Sequence, residues 1–193
     1  MTARATRVVP ALLVVALALS LLALPDAGTA SAEDRLFRVT VLHFSGGRSA
    51  TAPVDGAGGV DRFVELVQRE HTRAEQLGGD VVVGLGDHFA AGPQFAAARA
   101  EPGRPLDALA LSRVPADAYV VGDDDLRYGT DTLATPIDGV VRGDQRPTFV
   151  AANLEAGVDP ALAPLAADGR LASSTVVTRW GRPIGVVWVT SPS

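Results

Sequence analysis

Two apolar stretches of the chain each run into a Gly-Asp: Val81-Val82-Val83-Gly84-Leu85-Gly86-Asp87-His88-Phe89 and Ala118-Tyr119-Val120-Val121-Gly122-Asp123-Asp124-Asp125. Carboxylates at strand ends suit a metal or phosphate site. In open α/β sheets ligands sit outside the carboxyl ends of the strands, where a glycine lets the backbone turn and aim acids into the crevice. Taken by itself, the acidic triplet also reads as a solvated loop. The chain has 3 histidines. His43 closes an apolar strand and reads as a half-buried packing residue. His71, on a helix beside Glu70 and Arg73, reads as structural on a solvated face. His88 follows Asp87 directly and is placed near the crevice as a site-lining residue.

The elements that must carry these residues alternate between strand and helix patterns. Leu36 to His43 reads as a strand, and a Gly-, Ser- and Ala-rich loop follows from Ser45 to Gly59. Val60, Phe63, Val64, Val67, His71, Ala74 and Leu77 keep the i, i+3, i+4, i+7 rhythm of a helix, which Gly78-Gly79 stops. Asp80 to Leu85 reads as a strand covered on both faces, because its apolar run is continuous. A short helix over Pro105 to Arg113, a strand over Ala118 to Val121, a helix from Thr130 to Val141 interrupted by Pro136, and a strand from Thr148 to Asn153 are expected next. The Ala-, Pro- and Gly-rich stretch from Glu155 to Ala172 reads as a surface connection. Ser174 to Trp180 and Pro183 to Thr190 read as a hairpin about Trp180-Gly181-Arg182-Pro183. This order predicts an α/β layered domain with a mostly parallel sheet.

Composition limits what the domain can do. Arg4 and Arg7, an apolar run from Val8 to Leu24 and the small residues Ala30-Ser31-Ala32 read as an export signal cleaved before Glu33. Residues 1–32 are therefore expected to be removed and 33–193 to form the mature domain, secreted or otherwise extracytoplasmic. The alternative is an uncleaved anchor in the cell envelope, against which the run carries Pro10 and falls short of the roughly 20 apolar residues of a membrane span. After cleavage no membrane association is expected. The net charge is -5 and Lys and Arg do not cluster, which excludes DNA and RNA as partners. With no cysteine, thiol catalysis, Cys-ligated zinc and disulfides are excluded, so stability must come from the core.

A set of blocks in order, Val41-Leu42-His43, Gly58-Gly59-Val60-Asp61-Arg62, Gly86 to Pro93, Val121 to Gly129, Ala152-Asn153-Leu154 and Gly181 to Val186, resembles the metallophosphoesterase (calcineurin-like phosphoesterase) domain of the secreted 5'-nucleotidase family. The resemblance implies a layered α/β/β/α sandwich, here partial: the N-terminal half plus following strands, without the C-terminal domain that grips the nucleoside.

It also implies site residues, several of them altered. The family's first strand ends in Leu-His-Thr-Asn-Asp-x-His-Gly, and here Gly46 and Arg48 stand where the metal-binding Asp and second His should be. Asp87 matches the carboxylate that bridges two metals. The family's Gly-Asn-His-Glu-Phe-Asp is replaced by Gly122-Asp123-Asp124-Asp125-Leu126-Arg127. Asp123 could still bind a metal through oxygen, whereas Asp124 stands at the position of the family's catalytic His and would repel a phosphate. No catalytic residue is assigned. Further His-containing segments that complete the family's two-metal site lie beyond the last strand here, so that site is not expected to assemble.

No cofactor is expected beyond a weak site for Mn²⁺, Mg²⁺ or Ca²⁺ on converging carboxylates. The physical alternative is that Arg48 and Arg127 fill the metal positions, pairing with Asp87 and Asp123. Asn153 is placed as a further site-lining residue. Three functions follow: an exported pseudoenzyme or binding module, with a small phosphorylated ligand or a protein as partner; an active nucleotide or phosphoester hydrolase with an atypical site; or a truncated fragment leaving apolar sheet surface uncovered.

Overall fold

The computed structural model describes residues 37–48, 52–89, 95, 105–142, 144 and 146–191. The expected export segment lies outside the described residues. Among those described, no helix is long and apolar enough to cross a membrane.

The apolar run at Asp80–Gly84 is buried at all five positions because it sits between two layers. This strand, β2, lies between β1 (Thr40–Phe44) and β3 (Ala118–Val120) in a five-stranded sheet that continues through β4 (Thr148–Val150) to β5 (Leu171–Ala172). All pairings are parallel, from Thr40↔Asp80 to Val150↔Ala172. The period of two along β2 divides its side chains. Val82 faces the helices α1 (Val60–Gln76), α2 (Leu106–Leu111) and α4 (Thr130–Gly139), in a core with Val64, Val67, Leu111, Tyr119, Leu133, Ile137 and Phe149. Val81 and Val83 face the other way, against Val177, Ile184 and Val186 of an antiparallel hairpin, β6 (Ser174–Arg179) and β7 (Arg182–Val187). Each fully buried Val, Leu or Phe is worth about 1.5–3 kcal/mol over leaving it exposed. These two clusters supply the stability that a cysteine-free chain must find in its core.

The described domain thus has α, β and β layers, the partial sandwich that the resemblance implies. The hairpin turn is of type I′. Arg179 and Arg182 pair, and Trp180 and Gly181 between them have φ of 48° and 74°, as that turn requires. The Trp180 ring lies on Gly79, where any Cβ would overlap it. The hairpin's outer side leaves Val176 and Val187 exposed, while Trp188 donates from its indole nitrogen to the Val121 carbonyl at 3.1 Å.

Some expectations are corrected. The segment 155–172 is core as well as connection: it forms α5 (Ala163–Ala167) and β5, and buries Leu162, Leu165 and Leu171. Helix α4 runs through Pro136, whose ring packs into the core beside Leu133 and Ile137. His43 is exposed, on the open edge strand β1. His71 is structural but not on a solvated face. Its Nδ1 lies 2.9 and 3.0 Å from the two oxygens of Asp80, a carboxylate 1% exposed at the start of β2, and so ties α1 to the sheet.

Candidate functional site

Beyond their last paired residues, β1, β2 and β3 send three turns toward one another. After β2, Gly86 and Asp87 have φ of 84° and 58°, which brings the chain sharply round. The turn after β3 is so close that a Cβ on Gly86 would lie 2.6 Å from the Gly122 nitrogen, and a Cβ on Gly122 would lie 2.5 Å from the Asp87 nitrogen. Only glycine fits at this crossing. The segment after β1 extends the parallel register alongside: Gly46 donates to the Gly86 carbonyl at 3.1 Å and Arg48 to the Asp87 carbonyl at 2.9 Å.

One side chain fastens the crossing. The acidic triplet begins a one-turn helix, α3 (Asp123–Leu126), and at its third position the buried carboxylate of Asp125 accepts four backbone N–H groups. Asp87 and Gly122 donate to Oδ2 at 2.9 Å each; His88 and Phe89 donate to Oδ1 at 2.8 and 2.9 Å. Burial pushes the Asp125 carboxyl above its usual range, and the four donors pull it back. The family comparison of motifs gave this residue no role. The available signal was an acid three residues after the helix N-cap, where it can accept the N-cap N–H.

Asp87 itself is half-buried, and its Oδ1 accepts the Asp124 N–H at 3.2 Å. Burial raises its carboxyl pKa against the pull of that donor, and the charges of Asp125, Asp123 and Asp124 raise it further. Asp123 is exposed at the start of α3. Asp124 has a side chain only 4% exposed, held between two cations: Arg48 Nη2 lies 2.8 Å from Oδ2, and Arg127 Nη2 contacts Oδ1. Arg48 and Arg127 therefore do enter the site, but their partner is Asp124 and not Asp87 and Asp123. The reason is helical spacing, since Asp124 and Arg127 are i, i+3 neighbours on α3 and its continuation.

The remaining candidates are placed apart from this cluster. His88 is 4% exposed inside a ring of aromatics, with centroids 5.4 Å from Phe44, 5.6 Å from Tyr119 and 6.2 Å from Phe89. Burial lowers its pKa to about 4, against the pull of Asp87 and the Gly84 backbone, so the imidazole is neutral at pH 7. Its Nε2 lies against Gly84 without a well-formed hydrogen bond. The same ring borders a largely apolar cavity of about 440 Å³ with Phe44, Phe63 and Leu111. Asn153, after β4, clasps the Thr190 backbone: Nδ2 donates to its carbonyl at 2.7 Å, and Oδ1 accepts its N–H at 2.9 Å.

The resemblance in sequence implies a divalent-metal centre here, and the residues do not fit one. Among the described residues no group of three or more His, Asp or Glu side chains is arranged to hold an ion. Asp125 has its oxygens committed to four N–H groups, and each Asp124 oxygen meets a guanidinium. Arg48 brings a permanent positive charge where a metal needs a neutral or anionic ligand.

No family model and no curated protein sequence matches the chain. Solved structures do. The 5'-nucleotidase precursor from Thermus thermophilus superposes with a TM-score of 0.63 at 26% identity, over 79% of this chain and 28% of that one. The NAD nucleotidase of Haemophilus influenzae gives 0.62 at 15%, over 78% and 26%. A calcineurin-like phosphoesterase from Bacillus subtilis gives 0.53 at 16%, over 79% and 48%. The chain thus spans between about a quarter and a half of the length of these proteins, and across that span it carries the metallophosphoesterase fold.

Proposed function

We propose that this chain is an exported, 5'-nucleotidase-like protein impaired in phosphoester hydrolysis, a pseudoenzyme that keeps the fold as a binding module. The observation that carries the reading is the Asp124 carboxylate, buried and clasped by Arg48 and Arg127. Hydrolysis of a phosphate ester gathers negative charge on the phosphoryl oxygens, and catalysis depends on positive charge or hydrogen-bond donors aimed at them. Asp124 stands where the resembled family has its catalytic His, and an ionised carboxylate only accepts hydrogen bonds, so that donor is missing. Loss of one such transition-state donor costs about a hundredfold to a thousandfold in rate. Both nearby guanidinium groups are engaged by Asp124. No metal cofactor and no nucleic acid partner belong to this reading. Its ligand is a small phosphorylated molecule or a protein.

The test is to strip the mature chain of metal, add back Mn²⁺ or Mg²⁺, and assay p-nitrophenyl phosphate and AMP. Folded protein with no phosphate release above background is the expected result. Metal-dependent release that disappears in Asp87→Ala would overturn it and establish the second reading, an atypical hydrolase. One observation favours that alternative: Asp87 is held in the left-handed region at φ 58°, and strained backbone of this kind gathers at active sites.

A further inference from the structure

We propose that the cavity beside His88 is a binding site for an uncharged, ring-shaped molecule that carries one N–H or O–H group, with the His88 imidazole as the acceptor for that group. This goes beyond the proposed function and does not rest on it: it holds whatever the acidic strand ends bind.

The cavity lies on the helical side of the sheet, bordered by the end of β1, by α1 and by α2. Phe44, Phe63, Leu66 and Leu111 form its walls. At about 440 Å³ it has the size of a small-molecule site, and such sites are mostly apolar with a few polar groups that orient the ligand. Phe44 and Phe63 are only half-buried and meet edge to face with centroids 5.0 Å apart, and Leu66 is 46% exposed, so apolar surface is turned toward this space. Flat rings pack well against aromatic walls in offset or edge-to-face contact. The charged residues Arg62 and Asp107 also line the cavity, and their signs are opposite. The exposed Arg62 guanidinium is held on the Gly56 carbonyl. An ionic ligand would have to shed its water here without a net counter-charge to receive it.

His88 supplies the orienting group. Its main-chain N–H is fixed on Asp125, and its ring fits where β2 has glycine: a Cβ on Gly84 would lie 2.7 Å from Nε2 and 2.4 Å from Cδ1 of Tyr119. The Gly84 main chain raises the imidazole pKa, as a carbonyl facing a ring N–H does, which assigns the proton to Nε2 and leaves the lone pair on Nδ1. Nδ1 is turned toward Gly47, 3.9 Å from where a Cβ there would stand, and both residues line the cavity. Among the described residues no donor bonds Nδ1. A site packed for stability alone would be better filled by phenylalanine, because an acceptor shut away from water costs stability until something bonds it. A ligand N–H or O–H is that partner, and the ring is already held in place to receive it.

The experiment titrates indole and benzofuran into the mature chain by calorimetry. The two molecules match in size and shape, but benzofuran has an oxygen where indole has its N–H. Indole is expected to bind with Kd of about 10⁻⁴ M, as suits so small a ligand, and benzofuran about tenfold more weakly. His88→Phe keeps the enclosure aromatic and removes the acceptor, so both ligands should then bind within about twofold of wild-type benzofuran. Leu66→Asp, at a wall position already 46% exposed, sets a carboxylate against the cavity and should weaken both ligands at least about fivefold. Circular dichroism checks that each variant is folded.

A wild-type chain that binds indole no better than benzofuran, or does not bind it up to about 5 mM, would overturn the inference. So would a folded His88→Phe variant that keeps the preference for indole, since the acceptor would then lie elsewhere. If His88→Phe does not fold, Leu66→Asp decides: loss of both ligands supports the site, and unchanged binding overturns it. Phosphate release by wild type with Mn²⁺ bears on the proposed function alone, so either reading can fail while the other stands.

Discussion

Lowering the pH should destabilise this protein through His88. The imidazole is enclosed by Phe44, Phe89 and Tyr119, and burial brings its pKa from 6.5 to about 4. Because the folded-state value is the lower one, the unfolded chain takes up a proton first as pH falls. The neutral ring's contribution is complete above pH 6.5 and is lost as pH falls through about 4. The full difference corresponds to about 3 kcal/mol, of which about 2.5 kcal/mol is gone by pH 4.5. With a urea m-value of about 2 kcal/mol/M, the midpoint should fall by about 1 M between pH 7.5 and pH 4.5. The raised carboxyls of Asp87 and Asp125 work in the opposite sense over the lower part of that window, because each favours the fold when protonated. The assay is therefore urea unfolding of wild type and His88→Phe at both pH values. Phenylalanine fills the aromatic enclosure and carries no titrating nitrogen, so its midpoint should lose most of the pH dependence. A wild-type midpoint that does not move, or a Phe variant with the full wild-type slope, would refute the reasoning.

Asp125→Asn replaces one oxygen of the four-donor acceptor by an NH₂, leaving two of the N–H groups from Asp87, His88, Phe89 and Gly122 facing a donor. Two such losses cost about 2–6 kcal/mol, and urea unfolding at pH 7 should show it; a loss below about 1 kcal/mol would count against the staple. Gly122→Ala places a Cβ 2.5 Å from the Asp87 nitrogen, a distance backbone atoms cannot accept, so circular dichroism should show loss of cooperative folding where Gly157→Ala, in open space, shows none.

Much of the fold was legible because its signals are local. The unbroken apolar run at Asp80–Gly84 announces a strand covered on both faces, and Trp180-Gly181 between alternating strands announces the hairpin. The stretch from 155 to 172 misled because its Ala, Pro and Gly content hides sparse anchors: Leu162, Leu165 and Leu171 are spaced too irregularly to show a period, yet all are buried. In the site, the sequence brought Asp87, Asp123, Asp124, Arg48 and Arg127 to one sheet edge. The metal positions of the resembled family pair the arginines with Asp87 and Asp123, and those positions say nothing of the local conformation of the triplet. Read as a helical turn, its i, i+3 spacing joins Asp124 to Arg127 at once. His88 was unreadable from its neighbours, since what buries it are Phe44 and Tyr119, each remote in sequence.

The Asp125 staple separates the frame of this centre from its fittings. The turns after β2 and β3 are fastened through main-chain amides of Asp87, His88, Phe89 and Gly122, and no side chain at positions 48, 123, 124 or 127 takes part in those bonds. The charges around the crevice can thus be rewritten while the socket that displays them keeps its shape. For a protein engineer, those four positions are interchangeable inserts on a prefabricated mount.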